Sequence, residues 1–97
     1  MYSDTRLIQD LRHIVCKHLP DPVYKLFIFG SRAEGTHRRF SDVDLGILGP
    51  HPVPSQVIFN IQDDLEESDI PYLVDVVDFA AVSEKFKNIA TSVTIPV

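Results

Sequence analysis

The spacing of apolar residues divides the chain into alternating helical and extended segments. Steps of three and four residues between apolar positions predict three amphipathic helices, over 4–18, over 55–67 and from Ser83 onward. Continuous or alternating apolar runs predict three strands, over 24–29, 42–48 and 72–78. A short helix can begin at Ser31, and the last residues, Thr94 to Val97, fit neither pattern.

The same spacing indicates which residues enter the core. The helices are expected to turn their apolar faces inward, with Leu7, Leu11, Ile14, Val15 and His18 in the first, Val57, Ile58, Ile61 and Leu65 in the second, and Phe86, Ile89, Ala90 and Val93 in the last. Four phenylalanines are expected in the core rather than in a base-stacking surface: Phe27, Phe29, Phe59 and Phe86. Phe40 and Tyr72 are left open because each flanks a motif.

The order of elements predicts an α/β (α+β) fold. Strands that alternate with helices favour a small sheet, here of about three strands, with helices covering at least one face. A length of 97 residues is expected to form a single domain over 1–97.

Composition removes several classes of function. The chain has 9 Lys and Arg against 14 Asp and Glu, for a net charge of −5, which disfavours direct nucleic-acid binding through phosphates. No apolar run approaches the ~20 residues of a membrane span, and the first ten residues have no apolar core typical of a signal peptide. The single cysteine, Cys16, is expected to be a buried or half-buried apolar residue in a reducing cytoplasm.

The first chemical signal is a pair of acids on one strand. Asp42 and Asp44 are two residues apart, so both side chains are expected on the same face of the sheet. Two carboxylates ~7 Å apart repel each other by roughly 2 kcal/mol at an effective dielectric constant near 20. Such a pair favours a cation, and ligands that are all oxygen suit Mg²⁺ or Mn²⁺ better than Zn²⁺.

The second signal is the Gly30-Ser31 step at the end of the first strand. Glycine allows a sharp turn and a close approach of the backbone to a ligand. Ser31 then offers a hydroxyl and a backbone N–H in what can be the first turn of a helix, which favours an anion. Arg32 follows at once and has a better claim to face phosphate than His37, Arg38 and Arg39, for which a solvated loop is an equal alternative.

The third signal is Asp75, which interrupts an otherwise apolar strand. A lone charge there is costly, and it is explained if Asp75 joins Asp42 and Asp44 around metal and accepts the proton of an incoming hydroxyl. Two alternatives remain open from the sequence. Asp75 could instead pair with Lys25 across the sheet, and Asp78 could replace Asp75 as the third ligand.

These motifs resemble a known family. The segments Phe-Gly-Ser-Arg-Ala-Glu-Gly at 29–35, Ser-Asp-Val-Asp-Leu at 41–45 and the stretch from Glu67 to Phe79 are similar to the signature of minimal nucleotidyltransferases (MNT) of the DNA polymerase beta superfamily. The resemblance implies a polymerase-beta-like fold with a mixed sheet. It also implies that Gly30 and Ser31 bind the triphosphate of ATP and that Asp42, Asp44 and Asp75 bind one or two Mg²⁺ ions, which Mn²⁺ can replace. Arg32 is added to the predicted nucleotide-binding residues because it is next to Ser31.

The resemblance also implies a biological partner. MNT proteins of this size resemble the antitoxin of a two-component pair, whose toxin is a HEPN-domain ribonuclease. The implied reaction is transfer of AMP from ATP to a tyrosine of the toxin, within a hetero-oligomer. Two alternatives are a nucleotidyltransferase with a small-molecule acceptor and a module that neutralises a toxin by contact alone, for which the acidity of the chain would suit a basic surface.

Overall fold

A computed structural model describes residues 2–19, 23–34, 42–80, 82, 84, 87–88 and 93–97. The elements, in chain order, are α1 (Asp4–His18), β1 (Lys25–Phe29), α2 (Ser31–Glu34), β2 (Val43–Leu48), α3 (Ser55–Glu66), β3 (Val74–Asp78) and β4 (Ile95–Pro96). The helices and strands predicted up to residue 78 are therefore present, each within about two residues of its predicted bounds. The helix predicted from Ser83 falls largely outside the described residues.

Helix α1 begins directly after Ser3, whose side chain caps its first turn. The hydroxyl of Ser3 accepts a hydrogen bond from the Arg6 N–H at 3.1 Å. Asp4 lies in the first turn, and Lys17 and His18 lie in the last, which suits the helix dipole. Its buried residues are the predicted Leu7, Leu11, Ile14 and Val15. Among the described residues, no helix is long and apolar enough to cross a membrane.

Within the described residues the sheet is mixed and has four strands, in the order β3-β2-β1-β4. Strand β1 pairs antiparallel with β2 and β4, and β2 pairs parallel with β3. The fourth strand was not predicted because it contains only Ile95 and Pro96. Proline suits that edge position, and the adjacent Val97 N–H donates to the Leu26 carbonyl at 3.0 Å.

The sheet has two different faces because side chains alternate along each strand. One face packs under α1 and α3 and carries the main core, which includes Val43, Leu45, Ile47, Ile28 and Val74. The other face carries a small aromatic cluster of Phe27, Phe29 and Phe79, in which Phe79 lies 5.0 Å from each of the other two ring centroids. Asp44 belongs to this second face, because it lies between Val43 and Leu45 on β2.

Two predictions about burial are wrong. Cys16 is exposed, because it lies one position beyond Val15 and therefore outside the buried stripe of α1. Phe59 is 64% exposed, because the inward face of α3 is occupied by Ile61 and Leu65. Phe27 and Phe29 are buried as predicted, whereas Phe40 and Phe86 lie outside the described residues.

Candidate active site

Strand register brings two of the predicted acids into one row. Asp44 lies opposite Phe29 on one side and opposite Asp75 on the other. Residues paired in this way share a face of the sheet, so both carboxylates emerge on the side of the aromatic cluster. Asp42 lies just before β2, which begins at Val43 rather than at the predicted residue 42. Its position two residues from Asp44 places it at the same end of the sheet.

The charges of the other two acids both act on Asp44. The pKa of Asp44 is raised above its usual value, first by burial, then by the charge of Asp75 and then by the charge of Asp42. Asp44 is half-buried, whereas Asp42 and Asp75 are exposed. The group therefore combines one shielded carboxylate with two that solvent or a ligand can reach.

Gly30 is required at the end of β1 for two separate reasons. Its φ angle is +75°, in the left-handed region that residues with a Cβ rarely adopt. A Cβ at this position would also lie 2.5 Å from Oδ2 of Asp44. The backbone at Gly30 thus approaches the acid row closely, and Ser31 begins α2 immediately after it. The side chain of Ser31 is outside the described part of the structure.

The side chain of Arg32 is buried and contacts two other elements. Its Nη1 lies 3.5 Å from Oδ1 of Asp4, at the start of α1. Its guanidinium carbon lies 4.4 Å from the ring centroid of Tyr72, which in turn packs edge-on against Tyr2. These contacts connect α2 to α1 and to the segment before β3. Phosphate binding by Arg32 stays a prediction. Its side chain is buried and packs against Asp4 and Tyr72. His37, Arg38 and Arg39 lie outside the described residues.

The strand register and hydrogen bonds argue against both alternatives for the third acid. Lys25 pairs with Leu48 at the far end of β1, and β1 is not adjacent to β3, so Lys25 cannot partner Asp75. Asp78 lies at the other end of β3 from Asp75. Its carboxylate accepts hydrogen bonds from the Val53 N–H at 2.6 Å and from the Ala80 N–H at 3.0 Å, which gives it a structural role in fixing loops.

A cleft of about 570 Å³ opens beside the acids. Its lining combines two of the predicted acids with the end of α3 and the segment before β3, namely Asp42, Gln62, Leu65, Glu66, Ile70, Pro71, Tyr72, Leu73, Val74 and Asp75. A larger groove of about 720 Å³ runs along α1 past Arg12, His13 and Cys16, but it holds none of the predicted site residues. The cleft beside Asp75 is therefore the better location for a substrate.

The residues present fit a hard divalent cation in chemistry. Three carboxylates supply oxygen ligands. Burial, followed by the charges of Asp75 and Asp42, raises the pKa of Asp44, so its ionised form favours a nearby cation. In the described part of the chain, no group of three or more His, Cys, Asp or Glu side chains is arranged so that it could hold a metal ion. Carboxylates that repel one another are expected to stand apart until a cation draws them together.

The glutamine at position 62 is a feature that sequence reasoning missed. Its side chain lies in the cleft and bonds to the backbone on both sides of Asp75. A polar residue next to the buried Ile61 on α3 was the available signal, but a helix pattern alone does not show which strand it reaches.

Comparison with known proteins agrees with this geometry. Residues 8–95 match the nucleotidyltransferase domain family. The chain belongs to this family. This nucleotidyltransferase domain is 36% identical over 72 residues to the probable protein adenylyltransferase MntA of Haemophilus influenzae. That alignment covers 74% of this chain and 63% of the relative, so the chain spans less than two thirds of the relative's length.

Solved structures support the fold of this nucleotidyltransferase domain. A crystal structure of a toxin–antitoxin with AMP-PNP superimposes with a TM-score of 0.67 at 23% identity, covering 88% of this chain and 70% of that one. A structure of a tri-AMPylated HEPN toxin of Shewanella oneidensis in complex with MNT antitoxin gives a TM-score of 0.61 at 19% identity. The match covers 91% of this chain and 69% of that one. The predicted polymerase-beta-like nucleotidyltransferase fold is confirmed.

Proposed function

We propose that this chain is a Mg²⁺-dependent antitoxin nucleotidyltransferase that transfers AMP from ATP to a tyrosine of a HEPN-type ribonuclease toxin. The observation that carries the proposal is the pairing of Asp44 with Asp75 beside the Gly30 turn. The family, the adenylyltransferase relative and the structures of MNT antitoxin with AMPylated HEPN toxin support the choice of substrate and partner. A reducing cytoplasm would suit the exposed thiol of Cys16.

On this proposal the acids hold the metal and the turn holds the triphosphate. Asp42, Asp44 and Asp75 are the ligands for Mg²⁺, and Mn²⁺ can replace it. When bound, the cation neutralises negative charge on the phosphates of ATP. Gly30 and Ser31 contact the phosphates through the backbone, which at Gly30 lies close to the Asp44 carboxylate. Arg32 contributes its backbone N–H in the first turn of α2, because its side chain is held by Asp4 and Tyr72.

The reaction is a displacement at the α-phosphorus of ATP. The acceptor hydroxyl oxygen forms a bond to that phosphorus, the bond from phosphorus to the oxygen bridging the β-phosphate breaks, and pyrophosphate leaves. Asp75 is exposed and lines the cleft, so its carboxylate is the group that takes the hydroxyl proton.

The cleft beside Asp75 is the proposed entrance for the acceptor tyrosine. Leu73 is 69% exposed at its rim, and Leu65, Ile70 and Pro71 add apolar wall. An aromatic side chain gains from such apolar surface, and its hydroxyl would reach the end of the cleft that Asp42 and Asp75 occupy.

The experiment is a transfer assay with the chain, a cognate HEPN protein, Mg²⁺ and ATP labelled at the α-phosphate. Label is expected on the HEPN protein with the wild-type chain, and none is expected with the Asp42→Asn/Asp44→Asn double variant or with label at the γ-phosphate. Labelling by the double variant at the wild-type rate would reject the acid site. Label found on a small molecule without the HEPN protein would favour the small-acceptor alternative. Neutralisation of the toxin that survives loss of the acids would favour a module that acts by contact.

A further inference from the structure

The outer edge of β3 leaves backbone groups facing away from the sheet on either side of Asp75. Among the strands that the structure describes, β3 lies at the edge of the sheet and pairs only with β2. The Leu73 carbonyl accepts from the Val43 N–H at 2.8 Å, and the Phe79 N–H donates to the Ile47 carbonyl at 2.9 Å. Odd-numbered residues therefore bond to β2, and the backbone groups of the even-numbered Val74 and Val76 point outward.

The side chain of Gln62 bonds to both of these outward groups. Its Nε2 donates to the Val74 carbonyl at 2.5 Å, and its Oε1 accepts from the Val76 N–H at 3.3 Å. The opposite orientation of the amide would set two acceptors against each other at Val74 and two donors at Val76, so the backbone dictates the orientation of the amide. One side chain from α3 thus takes the place of a neighbouring strand over the two residues that flank Asp75.

We propose that Gln62 is a positioning residue for Asp75, holding the backbone of β3 so that the Asp75 carboxylate stays beside Asp44. The proposal rests on the proposed function, in which Asp75 binds metal and takes the acceptor proton. Gln62 acts through the backbone, and its amide is bonded to Val74 and Val76 rather than being offered to substrate.

Repulsion between the two acids explains why the bonds from Gln62 to β3 would matter for the site. Asp75 and Asp44 lie directly opposite each other on neighbouring strands, so their like charges repel and favour separation of β3 from β2. An edge strand has backbone bonds to a neighbouring strand on one side only and is the part of a sheet that opens most readily. Gln62 adds bonds on the other side and connects β3 to α3, whose buried Ile61 and Leu65 anchor it in the core.

The test compares Gln62→Met with Gln56→Met. Methionine keeps the length of the side chain and removes both bonds to β3. Gln56 is the matched control, because it lies on the same helix, is exposed, and bonds to the Asn60 side chain at 3.0 Å rather than to a strand. The first measurement is hydrogen exchange at the Val76 amide without metal or nucleotide, with the Phe79 amide as internal reference. The second is AMP transfer at saturating Mg²⁺ and ATP.

In Gln62→Met, exchange at Val76 is expected to accelerate by roughly fivefold or more relative to Phe79, as befits one lost hydrogen bond. A displaced catalytic group is expected to lower kcat by roughly ten- to hundredfold while KM for ATP changes by less than about threefold. Gln56→Met is expected to leave both unchanged. If Gln62→Met does not fold, Gln62→Glu replaces it in both measurements. Glutamate keeps the acceptor for the Val76 N–H and loses the donor for the Val74 carbonyl.

The outcomes separate this proposal from the proposed function. Unchanged Val76 exchange, or an unchanged kcat in an active enzyme whose Val76 exchange is faster, would overturn the positioning role. A wild-type chain that transfers no AMP would reject the proposed function instead. In that case the affinity of the chain for Mn²⁺ with ATP decides the positioning role: several-fold weaker binding in Gln62→Met supports it, and equal binding overturns it.

Discussion

Asp44 and Asp75 lie directly opposite each other on the parallel strands β2 and β3, and the charge of Asp75 helps to raise the pKa of Asp44. Burial of Asp44 is the larger cause of that rise. Both causes disfavour the ionised carboxylate in the folded chain. The arrangement therefore costs stability at neutral pH unless a cation binds, which is typical of groups kept for function.

Replacing Asp44 by asparagine is expected to stabilise the fold while removing AMP transfer. A carboxyl whose pKa is higher in the folded state destabilises it as pH rises through the unfolded and then the folded pKa. The Tm of Asp44→Asn should therefore exceed that of the wild type by roughly 2–5 °C at pH 7, and this difference should vanish below about pH 4. Thermal denaturation across this range measures it, with the exposed Glu67→Gln as control. A lower Tm at pH 7 would contradict the assigned electrostatics.

Added Mg²⁺ is expected to reverse the difference in Tm between the wild type and Asp44→Asn. A ligand that binds only the folded state raises Tm in proportion to its affinity, so added Mg²⁺ is expected to raise the Tm of the wild type more than that of Asp44→Asn. Equal shifts in the two proteins would show that the cation binds elsewhere.

Substitution of Gly30 by alanine is expected to damage both stability and activity. The left-handed backbone costs a residue with a Cβ about 1–2 kcal/mol, and the new Cβ would collide with Asp44 Oδ2. Transfer should fall by roughly tenfold or more because the turn moves relative to the acids. Chemical denaturation in wild-type and Asp44→Ala backgrounds separates the two effects, because Asp44→Ala relieves the collision and leaves the backbone strain. The same loss of stability in both backgrounds would show that the collision is absent.

The local elements could be predicted because each has its own sequence pattern. Helical spacing identified α1 with its bounds of 4–18, and apolar runs identified β1, β2 and β3. The motif Gly30, Asp42, Asp44 and Asp75 was visible because each residue breaks an otherwise apolar or regular pattern. The grouping of Asp44 with Asp75 required β3 to lie beside β2, which was inferred from the cost of a lone charge in an apolar strand and is confirmed by the register.

Other features could not be predicted because they depend on contacts between distant segments. Strand β4 is too short to leave a pattern. Arg32 was predicted to face phosphate, yet its side chain contacts Asp4, 28 residues before it, and Tyr72, 40 residues after it. Gln62 reaches Val74 and Val76 across 12 and 14 residues. Such pairings are set by the tertiary fold and leave no local periodicity.

The buried Arg32 is expected to contribute mainly to stability through its side chain. Tyr72→Leu removes the ring beneath the guanidinium, and Arg32→Lys removes its planar stacking surface. Each change should cost roughly 1–2 kcal/mol of unfolding free energy, measured by chemical denaturation, and should alter KM for ATP by less than about threefold. Arg6→Lys is the control, because Arg6 also lies over a tyrosine ring but is largely exposed. A large rise in KM without loss of stability would instead assign the guanidinium to phosphate.

Asp64 is expected to make the contact between α1 and α3 sensitive to acid. Its carboxylate lies 3.0 Å from His18 Nε2 and 3.1 Å from Lys17 Nζ, and the hydrogen bond with His18, followed by that with Lys17, lowers its pKa. A lowered pKa contributes stability above the unfolded value near 4 and loses it as pH falls through the folded value. Asp64→Asn should therefore lower Tm at pH 7 and flatten its decline below pH 4.

Asp63→Asn is the matched control for this prediction, because Asp63 is the preceding residue on α3 and is exposed. Tm measured from pH 3 to pH 7 distinguishes the two variants. If both show the same dependence on pH, the contact of Asp64 with α1 does not stabilise the fold.

AMP transfer by Asp75→Asn and Asp78→Asn, compared as a pair, tests whether the acids shared by β2 and β3 form the active site. Both acids lie on β3, but Asp75 pairs with Asp44 while Asp78 accepts bonds from the N–H groups of Val53 and Ala80. With transfer rates normalised to folded protein, Asp75→Asn is expected to lose transfer by roughly a hundredfold or more, whereas Asp78→Asn should lose stability and keep transfer within about threefold of wild type. Full transfer by Asp75→Asn, or loss confined to Asp78→Asn, would contradict the account.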